Sequence, residues 1–249
     1  MRHLDLFSGI GGFALAARWM GWQTVAFCEI EPYPQAVLRK HWPDVPIFDD
    51  VRTLNATELE GLGRIDLITG GFPCTDISSA GKKAGIKGKH SGLWSEFARI
   101  VGEIRPDYVV VENVADLLYR GVGEVLGDLA TLGYDAEWHC IPATCVGAPF
   151  SGTGRDRVWI VAISDKRRRD WARLSREARG QSLVSSTWGH SGGGRLCDAE
   201  PSKWESQPGI PRVADGVPNR VDRIRALGNA IVPQVAFQIF QSIEDVSRG

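Results

Sequence analysis

The sequence predicts an α/β protein built on a doubly wound, largely parallel sheet, and three observations carry that expectation. Short apolar runs alternate with segments of helical spacing as far as Ser164, the pattern of repeated βα units. Glu29, Cys74 and Glu112 fall at the carboxyl ends of three predicted strands, the edge along which open parallel sheets bind ligands. After Ser164 the composition changes, first to a basic stretch and then to Gly-, Ser- and Pro-rich sequence reaching about residue 220. The main domain is therefore read as 1–164 plus 221–249, with 165–220 as a small C-terminal lobe or a linker.

Residues 3–7 give the first strand, 8–12 a glycine turn and 13–20 a helix. A second strand at 24–29 ends in an acid, 33–42 suits a helix, and 45–48 is a third strand before Asp49-Asp50. Strand four, 65–69, runs into Gly70-Gly71, where Pro73 fixes the backbone just before Cys74. The polar segment 75–92 carries Gly81, Gly85, Gly88 and Gly92 among Lys82, Lys83, Lys87 and Lys89, the make-up of a loop. Then follow a helix at 93–104, a strand at 108–112 ending in Glu112-Asn113, a helix at 122–132 and strands at 134–141 and 157–163. From Val221 the chain is helical again, interrupted at Gly228-Asn229.

Composition excludes several classes. Hydrophobic residues make up 43% and charged residues 24% of the 249, an ordinary globular balance. No apolar run reaches the length of a membrane span, and the strand pattern at the N-terminus leaves no room for a signal peptide. The five cysteines include no CxxC pair and are odd in number. Neither a disulfide framework nor a zinc site is expected, and a reducing cytoplasm is the default. The net charge of −1 announces no nucleic-acid partner, so binding of that kind would come from local patches such as 165–180.

Each candidate residue has a structural alternative. Gly9-Ile10-Gly11-Gly12 lets backbone approach a ligand at a helix N-terminus, but it is not the dinucleotide GxGxxG and such turns are common. Glu29 lies about 20 residues beyond these glycines, where an acid accepts hydrogen bonds from ribose hydroxyls; it is otherwise a solvated strand-end charge. Asp50 could meet an adenine amino group or simply form a turn. Cys74 alone is as readily a buried filler as a nucleophile. Its place on one edge with Glu29 and Glu112 favours the nucleophile, which must be a thiolate to attack.

Five segments occur in one order: Asp5-Leu6-Phe7-Ser8-Gly9-Ile10-Gly11-Gly12, Gly71-Phe72-Pro73-Cys74, Glu112-Asn113-Val114, Arg155-Asp156-Arg157 and Gly228-Asn229-Ala230-Ile231-Val232-Pro233. Over about 1–163 and 220–246 the chain resembles the DNA (cytosine-5)-methyltransferases, of the short kind found in phages and prophages. The resemblance implies a Rossmann-like methyltransferase sheet with a small recognition lobe, and S-adenosylmethionine as cofactor. Phe7, Ser8, Gly9 and Gly11 would line the cofactor, Glu29 would hold its ribose, Ile30 would cover one adenine face, and Asp50 and Val51 would meet the adenine edge. Asn229 would lie near the methionine end, with the C-terminal helix, 233–246, packed beside the pocket. Cys74 would attack C6 of cytosine. Glu112, with its pKa raised by burial, would assist at N3, and Arg157 with Arg155 would hold O2. The target base would be flipped out of duplex DNA, with 75–92 as a mobile lid and Thr75, Ser78, Ser79 and Lys82 on the DNA. No metal is implied. The protein is expected to work as a monomer.

The sequence departs from the family pattern in places. Thr75 stands where most members carry Gln, and Thr153 replaces the Gln before the first arginine. About three extra residues separate Gly147-Ala148-Pro149 from Arg155, the Leu-Gln-Gly-Phe-Pro segment before the last motif is missing, and 165–220 is short for a sequence-reading domain. Two other readings follow from the same residues: an inactive DNA-binding relative, and an RNA cytosine-5 methyltransferase.

Overall fold

A computed structural model of the chain describes residues 1–73, 93–143, 156–168 and 220–248. Seven strands form one sheet: β1 (Arg2–Leu6), β2 (Gln23–Cys28), β3 (Ile47–Phe48), β4 (Leu67–Gly70), β5 (Tyr108–Val114), β6 (Tyr134–Pro142) and β7 (Asp156–Ser164). Their order is β3-β2-β1-β4-β5-β7-β6. The first five are parallel and β7 runs antiparallel to both neighbours. The order reverses between β1 and β4, so this is the doubly wound, Rossmann-like arrangement with its crevice at that seam.

The helices are α1 (Gly12–Trp19), α2 (Pro32–His41), α3 (Ala56–Leu59), α4 (Leu93–Ile104), α5 (Leu117–Arg120), α6 (Val122–Thr131), α7 (Arg220–Asn229) and α8 (Pro233–Arg248). Pro32 opens α2, where its missing N–H costs nothing. Arg39, Lys40 and His41 close it, complementing the helix dipole. Helix α4 buries Trp94, Phe97, Ile100 and Val101 on one stripe, the spacing of a helix laid against a sheet.

Two clusters cover the two faces. Leu4, Leu6, Ile68, Val109, Val111, Val158 and Ile160 pack with residues of α4, α5 and α6. Leu67, Val110 and Trp159 pack with Phe13, Ala16 and Ala17 of α1 and with Val235, Ala236, Ile239 and Phe240 of α8. The sheet is thus a middle layer, and its central strands are apolar on both faces.

The structure alters the sequence expectation in three ways. Strand β5 does not stop at Glu112; it continues to Val114, because β7 extends the ladder through Glu112 opposite Trp159 and Val114 opposite Arg157. The last pair of strands is antiparallel, a direction that an apolar run does not encode. Helices α3 and α5, of four residues each, have no counterpart in the periodicity, since a single turn leaves no repeat to read. Between 165 and 220, the residues from 169 to 219 lie outside the described set.

A buried polar chain crosses the sheet on the α1/α8 face. His3 Nδ1 is 3.0 Å from Thr24 Oγ1 and His3 Nε2 is 2.7 Å from Thr69 Oγ1, while Thr69 Oγ1 donates to Asp5 Oδ1 at 2.9 Å. Because the Thr69 hydroxyl donates to Asp5, it accepts from Nε2–H, and Nδ1 accepts from Thr24. Burial pushes the His3 imidazole down to about 3. Burial also holds the Asp5 carboxyl well above the usual carboxylate range, opposed by the Thr69 hydroxyl.

These two shifts act in opposite directions on stability. The lowered His3 value makes its contribution to stability fall as pH drops below the ordinary His value, while the raised Asp5 value contributes in the opposite sense, so the two shifts oppose each other. A His3→Gln variant removes half of that balance. The stability advantage of wild type over the variant is expected to shrink by about 1.4 kcal/mol per pH unit as pH falls below about 6.5. Urea unfolding at pH 7, 6 and 5 measures it; parallel pH profiles would show that the imidazole protonates freely in the folded protein.

Candidate active site

The site grows from the loops that leave β1 and β4 at the crevice. After β1 the chain reverses through Phe7, Gly9 and Gly11, all in the left-handed region with φ of 52°, 51° and 84°. Gly11 is the N-cap of α1 and offers no side-chain cap. A Cβ on it would sit 2.7 Å from Trp42 and 2.9 Å from Leu38, so both its backbone and its surroundings demand glycine. Ser8 faces inward: its hydroxyl donates to the carbonyls of Asp5 at 2.6 Å and Cys28 at 3.3 Å. It pins the turn to β2.

Glu29 follows β2 and binds this turn. Its Oε2 accepts the N–H of Gly9 at 2.7 Å, and its Oε1 accepts the N–H of Glu31 at 2.8 Å. The residue is buried, and burial raises its pKa, with the two backbone N–H groups pulling the other way. Each oxygen keeps lone-pair capacity for a further donor. The neighbouring Ile30 is 59% exposed, a largely open apolar side chain beside an acid.

Gln35, which carried no signal in the sequence, completes this wall. Its amide donates to the Glu29 carbonyl at 2.6 Å and to Asp49 Oδ1 at 2.8 Å. A polar residue one turn before buried Leu38, on the inward stripe of α2, is the only hint the sequence holds. Asp50 lies on the far side of the wall. Arg52 Nε donates to both of its carboxylate oxygens at 2.9 and 3.0 Å and holds the group below the usual range, while its carbonyl accepts from Thr53 and Leu54. The turn-forming role is therefore present. Val51 is buried, and its carbonyl accepts from Arg99 Nη2 at 3.0 Å. Asn229 is exposed at the end of α7.

On the other side of the crevice, β4 ends at Gly70 and passes through Gly71, Phe72 and Pro73. Asn113 on β5 donates to the Phe72 carbonyl at 3.2 Å, fastening this loop to the next strand. Glu112, buried one residue earlier, has Arg157 Nε 3.0 Å from its Oε1. The pairing of Glu112 with Trp159 puts Arg157 at the diagonal cross-strand position on the same face. Gly71 gives this carboxyl its room: a Cβ there would come within 2.9 Å of Glu112 Oε2.

Phe7, Ser8, Gly9 and Gly11 thus lie in the turn after β1, Glu29 and Ile30 after β2, and Asp50 and Val51 after β3, while Glu112 and Arg157 come from β5 and β7 on the other side of the seam. Cys74, Thr75, Ser78, Ser79, Lys82 and Arg155 lie outside the described residues; Cys74 directly follows Pro73. Among the described residues no group of three or more His, Cys, Asp or Glu could hold a metal ion, and no helix is long and apolar enough to cross a membrane.

The family model for C-5 cytosine-specific DNA methylase matches residues 1–186. The chain is 37% identical over 170 residues to the Type II methyltransferase M2.BsuMI of Bacillus subtilis (strain 168), covering 65% of this chain and 42% of that protein. It is 34% identical over 163 residues to the Type II methyltransferase M.CviJI of Paramecium bursaria Chlorella virus IL3A, covering 65% and 43%. The chain therefore spans well under two thirds of these relatives. Among solved structures it is similar to a protein assigned as a DNA modification methyltransferase encoded within an E. coli prophage, with a TM-score of 0.56, 26% identity, and 67% and 47% of the two chains covered. Likeness to the S. pombe Dnmt2 methyltransferase, with a TM-score of 0.55 and 20% identity over 66% and 50% of the chains, shows the shared fold.

Gly71→Ala is expected to lower stability by about 1–3 kcal/mol, the usual cost of forcing an extra carbon into packed surroundings, because the Glu112 carboxylate, 2.9 Å from the added carbon and held by Arg157, would have to move. Urea denaturation tests it; a change under about 0.5 kcal/mol, the level of ordinary surface substitutions, would show that the carboxyl has space to yield.

Proposed function

The chain belongs to the C-5 cytosine-specific DNA methylase family, and we propose that it transfers a methyl group from S-adenosylmethionine to carbon 5 of a cytosine flipped out of duplex DNA. The observation that carries this reading is the Glu112–Arg157 pair, held 3.0 Å apart beside the loop that leads into Cys74. A buried carboxyl and a guanidinium on one face suit the N3 and O2 edge of a pyrimidine, and the thiol that follows Pro73 in the chain suits its C6.

In this reading the Cys74 thiolate bonds to C6, which turns C5 into an enamine-like carbon able to take up a methyl group. Glu112 donates to N3 and Arg157 to O2, so the charge that develops on the ring meets fixed donors. Water, as the base, then takes the C5 proton; the C6–S bond breaks, Cys74 leaves as the thiolate and the C5–C6 double bond re-forms. Bound S-adenosylmethionine supplies the methyl group from a sulfonium centre. The residues present fit it: Glu29 has acceptor capacity for ribose hydroxyls, the turn at Gly9 and Gly11 brings bare backbone to the crevice, and Ile30 offers an apolar face. Extraction of the base from the duplex costs a few kcal/mol; the lysines of 82–89 and the basic 165–180 stretch would offset part of it through phosphate contacts. The stretch 165–220 would serve as a small recognition lobe.

Incubation of the protein with methyl-labelled S-adenosylmethionine and duplex DNA, followed by bisulfite sequencing, is expected to reveal C5 methylation. Folded protein that methylates no DNA supplied would overturn the reading, and label transferred to RNA offered in parallel would redirect it. Glu112→Gln is expected to lower kcat by roughly 10²–10⁴, the range of general acid help. DNA carrying 5-fluorocytosine at the target should form a stable adduct with wild type and none with Cys74→Ala; an adduct with the variant would remove Cys74 from the mechanism.

A further inference from the structure

The C-terminal segment touches the proposed cofactor wall at two points. Arg225 on α7 places Nη2 3.0 Å from Glu31 Oε1. Ile231, just beyond α7, lies against the first residue of α1: a Cβ on Gly12 would come within 2.5 Å of Ile231 Cγ1 and 3.3 Å of its carbonyl oxygen. These two anchor points belong to the two backbone segments that Glu29 joins. The N–H of Glu31 donates to one Glu29 oxygen at 2.8 Å, and the N–H of Gly9, in the turn that Gly12 completes, donates to the other at 2.7 Å. Helix α7 itself is shallowly packed: among its described side chains only Ala226 is buried.

We infer that α7 is a strap across the cofactor site and that the Arg225–Glu31 ion pair is its fastening, so that Arg225 and Glu31 are positioning residues that retain S-adenosylmethionine. The inference rests on the cofactor reading given above. An exposed ion pair is worth little to the stability of a whole domain. Here it opposes the local opening of a helix in which, among the described side chains, only Ala226 is buried, and local opening of such a segment is cheap. Its effect therefore falls on how long the ligand stays, which is where most differences in affinity arise. Ile231 supplies the hinge side of the strap through its contact with Gly12, and Arg225 supplies the side that opens.

The test is a charge-swap cycle read in two ways. Dissociation of S-adenosylmethionine is followed by stopped flow for wild type, Arg225→Glu, Glu31→Arg and the double variant. Each single change is expected to raise the dissociation rate roughly two- to fivefold, the effect of losing an exposed pair, and the double swap to return it toward wild type. Hydrogen exchange on the ligand-free proteins should show faster exchange at Ala226–Ala230 in each single variant and recovery in the double. Equal dissociation rates in all four proteins, or single variants that the double swap does not rescue, would overturn the strap. Wild type that binds no S-adenosylmethionine would instead overturn the cofactor reading; unchanged exchange in Arg225→Glu would then overturn the fastening on its own.

Discussion

Everything at the site depends on the parallel pairing of β1 with β4, which runs from His3 opposite Leu67 to Leu6 opposite Gly70. From β1 the chain crosses over toward β2 and β3, and from β4 toward β5. Two loops therefore part company at this seam and leave a crevice that no local sequence element creates. The pairing is tight: a Cβ on Gly70 would come within 2.5 Å of the Leu6 carbonyl. One loop brings bare backbone amides to the seam and the other runs from Gly70 to Pro73, one strand spacing away.

The carboxyls around the seam are partnered within the protein. Glu29 takes two backbone N–H groups, Glu112 has Arg157, and Asp5 takes the Thr69 hydroxyl. A buried polar group without a partner costs about 1–3 kcal/mol, so each of these contacts helps a carboxyl stay buried. The arrangement also fixes the acids in place before any ligand arrives, which lowers the ordering cost of binding.

Much of this was legible in the sequence because the central strands are buried on both faces and their apolar runs stand out against polar loops. The helix at 93–104 was read to its residue, since Trp94, Phe97, Ile100 and Val101 repeat at helical spacing over three turns. Strand ends were less clear: Glu112 reads as a terminus because it is charged, yet it is held inside β5 by a partner strand more than forty residues away. The motifs identified Glu112 and Arg157 separately, and only the ladder register brings them to one face. Gln35 and Arg99 remained hidden for a different reason. Each acts by donating to backbone carbonyls, of Glu29 and of Val51 and Leu54, and a carbonyl leaves no mark in a sequence.

Helix α8 packs on α1 through Phe240, which meets Phe13 and Trp22, and Trp22 Nε1 donates to Glu244 at 3.2 Å. The outer layer over β1 is thus made by the segment furthest from it along the chain. A ribosome delivers α1 and the sheet face beneath it long before it delivers the helix that covers them. Until then Phe13, Trp22 and Trp159 lack their apolar cover, and the nascent chain presents a sticky face that invites chaperones. The α1 face is consequently the last part of the core to be protected, and the layers of this fold close only once the final helix has been made.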